Sequence, residues 1–184
     1  MIVGITGTFA AGKDAVAEYL EEKGFEHFSL GHEIVDVAKE RGIEPTRDNL
    51  RILGNALREE HGSDYLPKRV LEKSTKENVA IAGIRQPGEI EYLRNKPDFI
   101  LIAVDAPIEL RFERMKDRAR EGDPQTIEEL AEKEKKEMES EGKNVQKIHE
   151  CMELADYKIV NNGTFEDLHK EVDNAIKGLR QETA

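Results

Sequence analysis

The segment that most constrains this chain is Gly7-Thr8-Phe9-Ala10-Ala11-Gly12-Lys13, a match to G-x-x-x-x-G-K. It follows Ile2 to Thr6, a short apolar run suited to a buried strand, and it leads into a helical pattern. That helix carries Val16, Tyr19 and Leu20 on one face and is closed by Gly24. Strand, glycine turn and helix in this order make a cradle for an anion. Glycines let successive backbone N–H groups point at one place, the helix start adds partial positive charge, and Lys13 adds a full one. Such a loop suits the β- and γ-phosphates of a nucleotide. Ser or Thr usually follows the lysine, with its hydroxyl on Mg²⁺; here Asp14 does. A carboxylate is also a hard-metal ligand, so Asp14 is the candidate metal ligand. The plain alternative is an acid favoured by the helix dipole.

The rest of the chain alternates strand and helix signals. Phe25 to Ser29 reads as a second short strand, and Gly31 to about Arg41 as a helix with Ile34, Val35 and Ala38 inward. Pro45-Thr46 opens a helix with Leu50, Leu53 and Leu57 on one face, ending near Gly62. Ser63 or Asp64 caps the next helix, with Pro67 in its first turn. Val79 to Ile84 and Phe99 to Val104 are continuous apolar runs, as in a parallel sheet covered on both faces. Pro107 to about Glu121 is helical, Gly122-Asp123-Pro124 breaks it, and Thr126 begins a highly charged helix. That helix is either a solvated face or a lid over a bound nucleotide. Asp156 to Val160 is the last strand, Asn162-Gly163 a turn, and Thr164 the cap of a final helix carrying Phe165, Leu168, Val172 and Ile176. The pattern predicts a three-layer, doubly wound α/β domain over residues 1–184, with about five parallel strands and right-handed crossovers.

Composition narrows the partners. Of 184 residues, 36% are charged, against a usual ~25%, and the net charge is −11. An acidic surface repels nucleic acid and anionic membranes but leaves room for a local cationic pocket. Without Trp and with 5% aromatics, a base-stacking platform is not expected. The one cysteine, Cys151, excludes an intrachain disulfide and fits a reducing cytoplasm. The longest dense apolar run is too short for a membrane span, and the first residues show no basic signal region. The five histidines show no metal-ligand spacing.

Taken with the phosphate loop, these patterns resemble the P-loop kinases of the nucleoside monophosphate kinase and dephospho-CoA kinase group, and in particular an archaeal branch of it. The resemblance spans nearly the whole chain. It implies a P-loop NTPase fold with a helical lid at about 119–143, acceptor-binding helices at about 31–77, and ATP and Mg²⁺ as cofactors. Gly7, Thr8, Phe9, Ala10, Ala11, Gly12, Lys13 and Asp14 would hold the donor phosphates and metal. Asn162 and Gly163, in Asp156 to Gly163, resemble the loop that holds adenine by its backbone. Phe28-Ser29-Leu30-Gly31-His32 resembles the start of the acceptor site, so Ser29, Gly31 and His32 are candidate acceptor contacts. Ala82-Gly83-Ile84-Arg85 resembles a segment whose arginine holds the acceptor phosphate, although an acid is usual at the position of Ala82. The expectation is that Asp14 supplies that displaced carboxylate.

Arg111, Arg114 and Arg118 lie at i, i+3 and i+7, on one helical face. Their acidic neighbours Glu109, Glu113, Asp117 and Glu121 allow a plain salt-bridged helix instead. Arg114 and Arg118 resemble the paired arginines at the lid, one near adenine and one on the transferring phosphate. Arg51 and Arg58, on the helix face opposite the leucines, are either acceptor contacts or a solvated face; Arg58 is carried among the candidate acceptor contacts. Lys13, Arg85, Arg114 and Arg118 are therefore the expected catalytic cations. The implied activity is ATP-dependent phosphoryl transfer to a small phosphorylated acceptor, a nucleoside or deoxynucleoside monophosphate, with dephospho-CoA as the alternative. From another class, a nucleotide-binding module with slow or no transfer also fits Ala82 and Asp14. A monomer or homodimer is expected.

Overall fold

The computed structural model describes residues 1–119, 122–138 and 146–182. Five parallel strands form one sheet: β1 (Ile2–Gly7), β2 (Glu26–Ser29), β3 (Val79–Ala82), β4 (Phe99–Asp105) and β5 (Tyr157–Val160), in the order β2-β3-β1-β4-β5. The helices are α1 (Lys13–Glu22), α2 (Leu30–Glu40), α3 (Arg47–His61), α4 (Tyr65–Lys73), α5 (Pro87–Arg94), α6 (Ile108–Arg118), α7 (Ile127–Met138), α8 (Ile148–Glu153) and α9 (Phe165–Glu182).

Alternate strand residues feed two cores, which is why the strands read as unbroken apolar runs. On one face Val3, Ile5, Ala80, Ile102 and Ile159 pack with Val16 and Leu20 of α1 and Leu168 and Val172 of α9. On the other, Ile2, Val79, Ile81 and Leu101 pack with Leu30, Ile34, Leu53, Leu57, Leu66, Ile90 and Leu93. Three layers result, as the alternation of strands and helices predicts.

Caps follow the sequence in places. Thr46 Oγ1 accepts from Asn49 N at 3.3 Å, and Thr164 Oγ1 from Asp167 N at 3.2 Å. Asp64 sits at the start of α4 without capping it through its side chain, which pairs with Lys68 instead. Two short helices, α5 and α8, stand where the sequence suggested none. β3 ends at Ala82, two residues before the expected Ile84, because Gly83 takes φ +83° and turns the chain. Of the expected lid, residues 120, 121 and 139–143 lie outside the described residues. The part within them, α7, is not simply solvated: Leu130 is fully buried and Glu134 grips α6. No described helix is long and apolar enough to cross a membrane.

Candidate active site

β1 and β4 run side by side to the sheet's carboxyl edge, and the chain between β1 and α1 wraps there into a tight loop. Gly7 has φ +143°, and a Cβ on it would lie 1.9 Å from the Val104 carbonyl oxygen. Gly12 has φ +106°, and a Cβ on it would lie 2.3 Å from Asn161 Nδ2. Both glycines are thus required by backbone angle and by space. The loop is tied down on its far side: Thr8 Oγ1 donates to Asp105 Oδ1 at 2.6 Å, and Asn161 Nδ2 donates to Ala11 O at 2.8 Å. Gly7 to Gly12 therefore form a fixed nest that a side chain would fill, and this is the geometry a phosphate group fits.

Lys13 Nζ folds back over the nest and donates to Gly7 O at 2.8 Å and Thr8 O at 2.6 Å. Its pKa is lowered to about 7, first by burial, then by the positive field of Arg85, with Arg118 and Arg111 adding to it and Asp14 opposing it. The charges of three guanidinium groups are therefore felt at one ammonium at the end of the sheet. Such a positive field favours a polyanion at the loop.

Each arginine is aimed by its own partners. Arg85, just past β3, donates Nη1 to Gln146 Oε1 at 2.8 Å. Arg111 is buried, donates Nε to Ala106 O at 2.7 Å, and is chelated by Glu134 of α7. Arg114 donates Nη1 to Ala11 O at 3.2 Å and Nη2 to Asn161 O at 3.0 Å, clamping the loop to the end of β5. Arg118 donates Nε to Asp123 Oδ2 at 3.0 Å. Arg111, whose Nη1 donates to Phe9 O at 3.4 Å, and Arg114 thus reach the loop, while Arg118 reaches Asp123. Among them, Arg111 and Arg118 add to the charge at Lys13; the sequence reading ranked Arg114 above Arg111.

On the other side of Lys13, Gly83 faces the start of α2: a Cβ on it would lie 3.9 Å from Gly31 N and 4.0 Å from Ser29 Oγ. Ser29 is half-buried, while Gly31, His32 and Asp14 are exposed. His27 Nε2 is buried without a partner, and burial pushes that imidazole's pKa down. Arg58 requires a correction. Its guanidinium is 3% exposed and bound to Glu89 Oε1 through Nε and Nη2 at 3.1 and 2.9 Å. The solvated face expected there stops at Arg51, because Arg58 turns inward to a carboxylate that α5, unforeseen in the sequence, delivers. Asn162 and Gly163 are exposed beside the loop, but the residue of that segment that reaches it is Asn161.

The donor set suits Mg²⁺ in a modest way. Among the described residues no group of three or more His, Cys, Asp or Glu side chains could cage a metal. Ala82, at the end of β3, has no ligating atom. One carboxylate close to Lys13, Asp14, matches an ion that takes most of its ligands from phosphates and water. Asp105 and Glu89 lie outside every sequence motif, Asn161 and Asp123 lie inside segments read for other reasons, and the contacts of all four give them their place at the site.

The parallel 2-3-1-4-5 sheet with a glycine nest and lysine at its edge defines a P-loop domain of the kinase-like type. The chain belongs to the UPF0200 family of archaeal proteins. It is 33% identical over 184 residues to the UPF0200 protein TK1334 of Thermococcus kodakarensis, covering 96% of both chains. It is 36% identical over 178 residues to the UPF0200/UPF0201 protein of Archaeoglobus fulgidus, covering 93% of this chain and 53% of that longer one, so it spans about half that relative's length. A family model described as "AAA domain" matches residues 3–140. In fold it is similar to shikimate kinase from Acinetobacter baumannii in complex with shikimate (TM-score 0.58, 20% identity, 96% and 93% of the two chains). It is also similar to a gluconokinase from Sinorhizobium meliloti (TM-score 0.55, 14% identity, 98% and 94%).

Proposed function

We propose that this protein is an ATP-dependent phosphotransferase acting on a small phosphorylated acceptor, in first place a nucleoside or deoxynucleoside monophosphate. The observation that carries the reading is the convergence of Arg85, Arg111 and Arg118 on a lysine whose pKa their field and its burial bring to about 7. Cations reach that lysine from two directions, Arg85 from the β3 side and Arg111 with Arg118 from α6. Two flanking cationic arms suit transfer between two anions.

In this reading the nest of Gly7 to Gly12 and Lys13 bind the donor's β- and γ-phosphates. Asn162 and Gly163 border the donor base. Arg85, with Ser29, Gly31 and His32, orients the acceptor phosphate. Arg118 and Arg111 offset the charge that spreads over the transferring group, since phosphoryl transfer asks mainly for positioning and charge neutralisation. Arg114 keeps the loop in shape. Asp14 is the residue that would hold Mg²⁺, which when bound neutralises charge between the β- and γ-phosphates. Closure of the α7 segment excludes water and suppresses hydrolysis.

A coupled assay with ATP against nucleoside monophosphates, dephospho-CoA, shikimate and gluconate tests the reading. ADP release that depends on one monophosphate supports it, and dephospho-CoA dependence moves the acceptor class. Release independent of every acceptor, or no release, points to a nucleotide-binding module instead.

A further inference from the structure

Past the end of α6 the chain turns through Gly122 (φ +75°) and brings Asp123 back against Arg118. The carboxylate is 5% exposed and is gripped from two sides. Arg118 donates Nε to Oδ2 at 3.0 Å and Nη2 to Oδ1 at 3.2 Å. Arg47, in the first turn of α3, donates Nη2 to Oδ1, and its Nη1 donates to Gly122 O at 2.7 Å. Burial alone would raise the pKa of this carboxyl, but the hydrogen bonds and charges of the two arginines outweigh it and hold it below the ordinary range. A paired buried carboxylate of this kind fixes geometry, because either arginine can move only by leaving a charge unmatched.

The two arginines belong to different machinery. Arg118 lies on the face of α6 from which Arg111 and Arg114 donate to the loop carbonyls of Phe9 at 3.4 Å and Ala11 at 3.2 Å, and its charge acts on Lys13. Arg47 belongs to α3, which packs on α2, the helix with Ser29 at its N-cap and Gly31 in its first turn. We infer that Asp123 is a positioning residue that aims Arg118 at the phosphate loop and, through Arg47, makes that aim depend on where α3 stands. The inference rests on the phosphotransfer reading. Under it, an acceptor that shifts α3 also resets Arg118, so that transfer is favoured when both substrates are present.

The test compares Asp123→Asn in the full chain with and without Arg118→Met. Asn keeps the shape but drops the charge and presents an N–H group to one guanidinium. Turnover should fall about 100-fold, the scale of a catalytic group misplaced by ~1 Å, while ATP affinity stays within about twofold. In the Arg118→Met background the same change should cost less than about twofold, because contacting residues in one network are not additive. An equal loss in both backgrounds, or no loss in either, overturns the inference. Amide exchange supplies the readout that needs no acceptor. Arg47→Met should speed exchange at Gly122 and Asp123, and Asp123→Asn should speed it in the first turn of α3. Unchanged exchange at the distant segment in both variants also overturns the inference. If the unmodified protein turns over no acceptor, the phosphotransfer reading fails, while the exchange arm still decides whether the two elements are coupled.

Discussion

Glu89 and Arg58 form a buried ion pair in which one carboxylate serves two purposes. Its Oε1 accepts from Arg58 Nε and Nη2, while its Oε2 accepts from the backbone N–H groups of Arg85 at 2.8 Å and Gln86 at 3.1 Å. Glu89 thereby connects α3 to the chain that presents Arg85. Removing one partner of a buried pair strands the other charge and costs ~3–5 kcal/mol. Glu89→Gln should therefore destabilise the fold by about 3 kcal/mol. Adding Arg58→Met to it should cost less than the two single changes together. Urea unfolding measures this; strict additivity would show that the pair is not coupled.

The state of Lys13 predicts how nucleotide affinity follows pH. Its pKa of about 7 means that above that pH the unliganded lysine is mostly neutral, and a neutral amine offers phosphates little. Bound phosphates favour the charged form and raise the pKa, so binding takes up a proton. The apparent Kd for ATP should be flat with respect to this group below pH 7. Above it, Kd should rise about tenfold per pH unit. Calorimetric titrations at pH 8 in two buffers of different protonation enthalpy should show nearly one proton taken up. No uptake would mean that Lys13 is already charged.

The two loop glycines should fail differently. Alanine at Gly7 would drive a Cβ into the backbone oxygen of Val104, which cannot move without the sheet, and Gly7→Ala should cost about 3 kcal/mol or more of stability. At Gly12 the steric obstacle is the Asn161 side chain, which can yield by giving up its bond to Ala11 O, and what remains is the strain of φ +106°. Gly12→Ala should therefore fold, yet lose about tenfold or more in ATP affinity as the nest opens. Thermal unfolding and ATP titration of both variants separate the two effects.

Asp14→Ala tests the placement of the metal. With Ala82 unable to ligate, Asp14 at the start of α1, whose charge acts on Lys13, is the carboxylate assigned to the metal. The variant should lose about 100-fold or more of Mg²⁺-stimulated turnover. A titration of Mg²⁺ at fixed ATP reads this directly, and a near-normal Mg²⁺ dependence would remove Asp14 from the role.

Much of the fold was legible because its signals are local. Ile2 to Thr6 and Phe99 to Val104 read as buried strands from their unbroken apolar runs, and Gly7 to Lys13 read as a phosphate loop from seven consecutive residues. The arginine stripe on α6 was visible from spacing alone. Its internal order was not, since Arg111 and Arg114 differ only in what they touch, Glu134 and Ala106 in one case and Ala11 and Asn161 in the other. Arg58 was misplaced for the same reason: its partner Glu89 lies 31 residues away on a helix of eight residues. Asp123 read as part of a helix break, and only the return of the chain onto Arg47 and Arg118 gives its carboxylate a function.

The central claim is that Lys13 and the nest beneath it grip a polyphosphate, and the most direct measurement is calorimetric titration of ATP with Mg²⁺ into the unmodified protein and Lys13→Met at pH 7. The account predicts saturable binding to the first and a loss of about 100-fold or more in the second, with the fold intact by circular dichroism. Equal affinity in the two proteins would contradict it.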